Sequence, residues 1–310
     1  MIIGIDIGGT YIKSAVVSLE GKIIHQQSVL TEVEKEPEFI QQSIVNIINQ
    51  LQQLFPETRA IGIGVPGVVY DDGIVRVAPN FPNWTNIHLK EYINQRFSLP
   101  IAIDNDANVA AIAEAELGAG KYNQHFLFIT LGTGVGGCII SNGNIFRGAK
   151  GGAGEVGHII IHETETAPAN KPSYRAGVLE EYVGRLGIIS LAKQYASEFS
   201  DSILHSYNNL DVHNISDAVS LNDRAAIDCF RRIGEMLGTA MSTALNLLDL
   251  RLIIVGGGIS NAHPLLLKTT LQTIQNRALP TVAQEVQILT AHFSNDAGIL
   301  GAAMLAKRLL

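Results

Sequence analysis

Two stretches of the chain say the same thing twice, and that repetition constrains the fold more than any other feature. Residues 2–23 read "IIGIDIGGTYIKSAVVSLEGKI" and residues 125–145 read "HFLFITLGTGVGGCIISNGNI". Each runs an apolar strand into a turn containing Gly and Thr, then a second apolar strand closed by another glycine turn. Lys22 to Val29 supplies a third strand to the first copy after the turn at Glu20-Gly21. Two copies of one supersecondary unit in 310 residues predict two α/β domains of related fold with a cleft between them.

The connecting segments fit that plan. Pro37 to Leu54 carries apolar residues at Phe39, Ile40, Ile44, Ile47, Ile48, Leu51 and Leu54, which is helical spacing. "RAIGIGVPG" reads as a buried strand. "PIAIDNDANVAAIAEAELGAG" reads as a strand, a polar corner and an Ala-rich helix ended by glycine. Ile227, Phe230, Ile233, Leu237, Met241, Ala244 and Leu248 mark a long buried helix, "RLIIVGGGIS" a strand entering a glycine loop, and "NDAGILGAAMLAKRLL" a closing helix. The expected division is 1–118 with about 296–310 as an N-terminal domain and 119–295 as a C-terminal one.

Charge narrows the partners. The formal net charge is -7, and Lys and Arg form no cluster of the kind nucleic acid or an anionic membrane requires. No membrane and no nucleic acid are expected as main partners. The opening "MIIGIDIGGT" lacks a basic leader, and no apolar run reaches the roughly 20 residues that span a bilayer, so a cytoplasmic protein is expected. Two cysteines, Cys138 and Cys229, are too few for a disulfide framework.

Several motifs can carry chemistry. In "DIGGT", Gly8 and Gly9 let backbone N–H groups approach a phosphate, Thr10 adds a hydroxyl, and Asp6 could hold Mg²⁺ through water. Taken alone, the segment is better read as an ordinary tight hairpin. The matching "LGTGVGG", with Gly132, Thr133 and Gly134, makes a two-sided phosphate grip the better reading. Gly256 to Gly258 could let a base or ribose lie against the backbone, or could simply connect a strand to a helix. In "IDNDAN", Asp106 is either a helix cap or a general base for a sugar hydroxyl, with Asn105 beside it and Asp104 as its rival. Glu155 and His158 project from a glycine-rich turn that enters a strand, an arrangement suited to sugar hydroxyls. His158 and His162 on the strand "HIIIH" would stand about 13 Å apart and could not share a metal.

Together these segments resemble the ROK family of sugar kinases and repressors over essentially the whole chain. The resemblance rests on "GIDIGGT", "GVPGVV", "APNFPNW", "IDNDANVAA", "ITLGTGVGGCIISNGNIFRGAKGGAGEVGH" and "GVLEEYVG". It implies a duplicated actin/hexokinase-like (ribonuclease H-like) fold, ATP with Mg²⁺, and γ-phosphoryl transfer to a hexose. Asp106 corresponds to the catalytic base. Asn105, Glu155, His158 and Glu180 correspond to sugar ligands, with Gly67 and Asn80 beside them. Gly8, Gly9, Thr10, Gly132, Thr133 and Gly134 correspond to the phosphate loops, Gly256 and Gly257 to the adenosine motif, and Asp6 to the metal support. A homodimer is also implied.

Glucose is the leading hexose. N-acetylhexosamines, mannose, allose and fructose are alternatives, as are polyphosphate as donor and a non-catalytic sugar-responsive regulator. Repressors of the family carry a helix-turn-helix before the kinase-like part, and the first phosphate loop here begins at Asp6. Zinc-containing members carry a cysteine-rich loop before the "LE" motif. Here 162–176 holds no cysteine and Val178 stands where one would be, so no zinc is expected. That stretch reads as a polar surface excursion, and Pro168, Pro172 and Tyr174 are the candidates to pack it and to keep His158 and Glu180 in place.

Overall fold

The computed structural model describes residues 1–70, 72–78, 81–168 and 170–310. The N-terminal meander forms as the sequence predicts: β1 (Ile2–Ile7), β2 (Tyr11–Val17) and β3 (Ile23–Leu30) are antiparallel neighbours. α1 (Pro37–Leu54) begins on a proline, whose missing N–H costs nothing in the first turn. It buries Ile40, Ile44, Ile47, Ile48 and Leu51 along one face. β4 (Ile61–Val65) then pairs parallel with β1. A small sheet of β5 (Val68–Val69), β6 (Val75–Val77) and β7 (Thr85–Ile87) and the short α2 (Leu89–Asn94) lead to β8 (Ile101–Asn105), parallel to β4. α3 (Asp106–Glu116) follows without a break.

The second copy repeats this order. β9 (Phe126–Leu131), β10 (Val135–Ser141) and β11 (Asn144–Ile145) form the meander. α4 (Glu180–Val183), α5 (Arg185–Glu198), α6 (Val212–Ser220) and α7 (Arg224–Leu248) come next, then β12 (Leu252–Gly256). α8 (Pro264–Arg277), α9 (Pro280–Ala283), β13 (Gln287–Thr290) and α10 (Ala297–Lys307) complete the chain. The first sheet has the order β3-β2-β1-β4-β8 and the second β11-β10-β9-β12-β13. These are the same topology, so the repeat seen in the sequence is a repeat of architecture.

Packing divides the chain into two compact units: Met1–Gln124 with Cys138–Ala153 and His292–Leu310, and His125–Gly137 with Gly154–Ala291. The expected 119–295 domain is thus drawn differently, because Cys138–Ala153 packs with the first unit. Two arginines tie this segment to the first unit. Arg147 pairs with Asp104 at 2.5 Å, and Arg308 donates to the carbonyl of Gly143 at 3.1 Å and the amide oxygen of Asn144 at 3.2 Å. In the first unit α10 lies directly on the sheet. A Cβ at Gly62 would fall 1.8 Å from the Ala302 carbonyl, so only glycine permits that approach.

One expected strand is absent. Val156–His158 is a single 3₁₀ turn, and of the following residues Ile160 makes only an isolated bridge, to Val178. The backbone of Gly154 and Glu155 feeds this turn, with His158 N–H donating to the Glu155 carbonyl at 3.1 Å, and the local turn overrides the β-branched run.

Candidate active site

In the first unit the corner after β8 settles a question the sequence left open. The α3 cap is Asn105, not Asp106. The Asn105 side-chain oxygen accepts from Ala107 N–H at 2.8 Å and Asn108 N–H at 3.3 Å. Its amide donates to the Gly67 carbonyl at 2.7 Å. Gly67 itself has φ +102, and a Cβ there would fall 2.0 Å from the Val77 carbonyl. Asp104 is fully buried, held by Arg147 at 2.5 Å and by the Asn108 amide at 2.8 Å. That leaves Asp106, exposed on the first turn of α3, as the solvent-facing carboxylate of the three polar residues. Asn80 lies outside the described residues.

The first glycine hairpin is built from backbone. Gly8 N–H donates to the Tyr11 carbonyl at 2.9 Å, and the buried Thr31 hydroxyl donates to the Gly8 carbonyl at 2.6 Å. Thr31 N–H donates to the Thr10 carbonyl at 3.0 Å. Gly9 and Thr10 are exposed, and a Cβ built on Gly9 meets nothing within 4 Å among the described residues. Asp6 sits at the end of β1 against the start of α10, where a Cβ on Gly298 would fall 2.4 Å from its carboxylate. Burial pushes the Asp6 carboxyl above its ordinary range, and the charge of Lys13, opposite it on β2, pulls the other way. A crowded carboxylate with a single modest counter-charge fits a hydrated divalent cation. The open face at Gly9 fits an approaching phosphate.

In the second unit the matching hairpin is tied to the "LE" segment. Gly132 N–H donates to the Gly134 carbonyl at 3.0 Å, and Arg185 N–H donates to the Gly132 carbonyl at 3.0 Å. Val135 N–H, directly after the loop, donates to Glu180 Oε2 at 2.7 Å. A Cβ at Gly134 would fall 2.2 Å from that oxygen, whereas one at Gly132 meets nothing within 4 Å among the described residues. The glycine segment after β12 is pinned to the same hairpin. Ile259 N–H donates to the Leu131 carbonyl at 3.1 Å, and Gly257 (φ +85) leaves room for a Cβ only 2.2 Å from that carbonyl. The buried Gly256 ends the strand.

Glu155 and His158 face Glu180. Glu155 is open by area, yet the packed atoms around its carboxyl displace enough water to push it above the ordinary range. His158 opposes that rise and Glu180 reinforces it. The His158 ring lies 6.1 Å from the Tyr174 ring, and the His162 ring 4.8 Å from that of Tyr182. The two histidines therefore have separate aromatic neighbours.

The 162–177 loop is ordered differently from a plain surface excursion. Arg175 Nη1 lies 2.6 Å from Glu180 Oε1, its Nε donates to Glu181 Oε1 at 2.6 Å, and Nη2 also meets Glu181. Lys171 reaches the other Glu181 oxygen at 2.5 Å. Sequence reasoning missed Arg175, Lys171 and Arg147. A signal was present for the first two, in a pair of basic residues four apart ahead of Glu180-Glu181. No group of three or more His, Cys, Asp and Glu gathers as a metal site among the described residues. A zinc ion does not fit the residues present: a guanidinium lies against Glu180 and the buried Val178 offers no ligand.

The chain matches the model of the ROK family over residues 2–309. It is 34% identical to a glucokinase of Halalkalibacterium halodurans, over 99% of this chain and 94% of that protein. It is 29% identical to a xylose repressor of Bacillus spizizenii, over 96% of this chain and 75% of that longer protein. Among solved structures, a ROK family glucokinase from Streptomyces griseus in complex with glucose and AMPPNP covers 99% of both chains, with 32% identity and a TM-score of 0.80. The duplicated actin/hexokinase-like fold is common to this chain and these structures. No helix among the described residues is long and apolar enough to cross a membrane.

Proposed function

We propose, from the premise that the chain belongs to the ROK family, that it transfers the γ-phosphoryl group of ATP to a hydroxyl of a hexose, glucose being the first candidate. The observation that carries the reading is the corner at 104–106. Asp104 is neutralised by Arg147, Asn105 caps α3, and Asp106 is the carboxylate presented to solvent. In this reading Asp106 takes the proton of the sugar hydroxyl. The hydroxyl oxygen forms a bond to the γ-phosphorus as the bond from phosphorus to the ADP oxygen breaks. Glu155, His158 and Glu180 hold other sugar hydroxyls, with Asn105 and Gly67 shaping the floor below Asp106. Gly8, Gly9 and Thr10, and Gly132, Thr133 and Gly134, hold phosphates, and Gly256 and Gly257 the adenosine. Asp6 would hold Mg²⁺ through water, and the ion would supply neutralising charge to the phosphates.

The repressor relatives support a second reading, a sugar-responsive regulator without catalysis. One experiment separates the two. ADP release is measured with ATP over glucose, mannose, allose, fructose, N-acetylglucosamine and N-acetylmannosamine. At least one sugar is expected to stimulate release, and Asp106→Asn is expected to lower kcat by about 10²–10⁴-fold. If no sugar stimulates release, the kinase reading fails. If the variant keeps full activity, the base assignment fails.

A further inference from the structure

The stretch between the two halves of the sugar cluster holds more charge than its position on the surface requires. Its ends are stitched together. Ile161 and His162 N–H groups donate to the Gly177 carbonyl at 2.8 and 3.2 Å, and Leu179 N–H donates to the Ile159 carbonyl at 2.9 Å. Gly177 (φ +62) passes so close to His162 that a Cβ would fall 1.8 Å from its carbonyl. A 3₁₀ turn at Ser173–Arg175 closes the loop just before this base. The turn leaves the Arg175 side chain only 15% exposed, between the carboxylates of Glu180 and Glu181.

We propose that Arg175 is the positioning residue for Glu180, fixing with a guanidinium the carboxylate of the "LE" motif. The proposal rests on the reading of Glu180 as a sugar ligand. Glu180 is fixed at both ends: Oε1 by Arg175 Nη1 and Oε2 by Val135 N–H. Each oxygen keeps a further lone pair for a sugar hydroxyl. The Arg175 fork spans both neighbouring carboxylates at once, which a single ammonium cannot do. Lys171 meets only Glu181, so Glu180 and Glu181 together face two cations, one of them shared. Glu155 lies close enough to Glu180 for the two charges to oppose each other, and Arg175 offsets that repulsion at Glu180. The Val135 contact lets the same clamp act on the phosphate hairpin, because Glu180 cannot swing without releasing the N–H that follows Gly134.

The test uses the hexose with the highest turnover in the panel above and compares four variants. Glu180→Gln is expected to raise the hexose KM. Arg175→Ala is expected to raise it by about 10–100-fold, with a smaller change in kcat and in the KM for ATP. Arg175→Lys is expected to recover part of that loss, because charge returns but the fork does not. Glu165→Gln removes the charge of the loop carboxylate that accepts from the Tyr182 hydroxyl and should leave the hexose KM within about twofold. If Arg175→Ala does not fold, Arg175→Lys and Arg175→Gln take its place in the comparison. If Glu180→Gln is silent, the sugar-ligand reading falls and the proposal with it. If Glu180→Gln acts but the Arg175 variants do not, only the proposal is overturned. Equal losses in Arg175→Ala and Glu165→Gln, or near-stoichiometric zinc in the purified protein, would also overturn it.

Discussion

The two glycine hairpins begin alike and are finished differently. In both, the carbonyl of the first glycine accepts one hydrogen bond, Gly8 from the Thr31 hydroxyl and Gly132 from the Arg185 N–H. In both, one glycine faces open space. The difference lies in the carboxylate. The first hairpin carries its own, Asp6, two residues upstream on the strand that leads into it. The second has Thr130 at that place and borrows Glu180 from α4. Duplication thus supplied the same backbone cradle twice, and the chemistry diverged through side chains. A strand-borne acid buried beside the loop suits a metal and phosphate. A helix-borne acid with free lone pairs suits hydroxyls.

The sharpest way to break the comparison is to neutralise each acid in turn. Asp6→Asn is expected to lower kcat by about 10²–10³-fold, with the hexose KM nearly unchanged. Its stability should move the other way. Burial raises the Asp6 carboxyl in the fold, so the folded chain binds this proton more tightly than the unfolded one. Stability from this group is highest in acid and falls as pH rises from the ordinary carboxylate range to the raised value. At neutral pH the charged form therefore costs stability, and Asp6→Asn should show an equal or higher Tm. A lower Tm at pH 7 with unchanged kcat would remove Asp6 from the phosphate side.

Glycine substitution gives the next largest effect. Gly134→Ala places a methyl 2.2 Å from Glu180 Oε2, so the carboxylate must leave Val135. The hexose KM is expected to rise about 10–100-fold and stability to fall by about 1–3 kcal/mol. Gly9→Ala meets no described atom within 4 Å, so its Tm should stay put while the KM for ATP rises. Urea unfolding with KM measurements for both substrates checks the pair. Matching losses in both variants would erase the distinction between a loop closed by a protein carboxylate and a loop left open for a ligand.

A smaller effect belongs to pH. Glu155 is raised by burial and by Glu180, against the opposing charge of His158, and it accepts hydroxyls best when ionised. The acid limb of kcat/KM for the hexose should therefore lie above the ordinary carboxylate range. Glu155→Gln should flatten that limb at a few-fold cost at neutral pH. An unchanged limb in the variant would assign it to another group.

How much of this was legible depends on how local each cause is. The hairpins were legible because a cradle of backbone N–H groups needs glycines between apolar strands, a pattern complete within about ten residues. The repeat made the meander that opens each sheet legible, while the order of the remaining strands came from the structure. At 104–106 the sequence could not say whether Asp106 caps the helix, a place that Asn105 takes, and Arg147, which pairs with the buried Asp104, comes 43 positions later. The run after His158 looked like a strand from its β-branched residues, and a 3₁₀ turn won. Arg175 was missed because a polar loop gives no period to read, and its one signal was the spacing of two basic residues ahead of Glu180-Glu181. Only the fold brings its guanidinium onto the "LE" motif.

The last difference between the hairpins is the smallest and the easiest to isolate. Gly8 is held by a side chain, and Gly132 by the backbone N–H of Arg185. Thr31→Val keeps shape and deletes only the hydroxyl that donates to Gly8 at 2.6 Å. Thr31 is fully buried, so its methyl replacement gives the half-buried Gly8 carbonyl no new partner from this side. A loss of about 1–2 kcal/mol is expected, read as a lower urea midpoint at constant slope. If the first hairpin holds phosphates, the KM for ATP should rise several-fold while the hexose KM stays fixed. A rise confined to the hexose would take the first hairpin off the phosphate side.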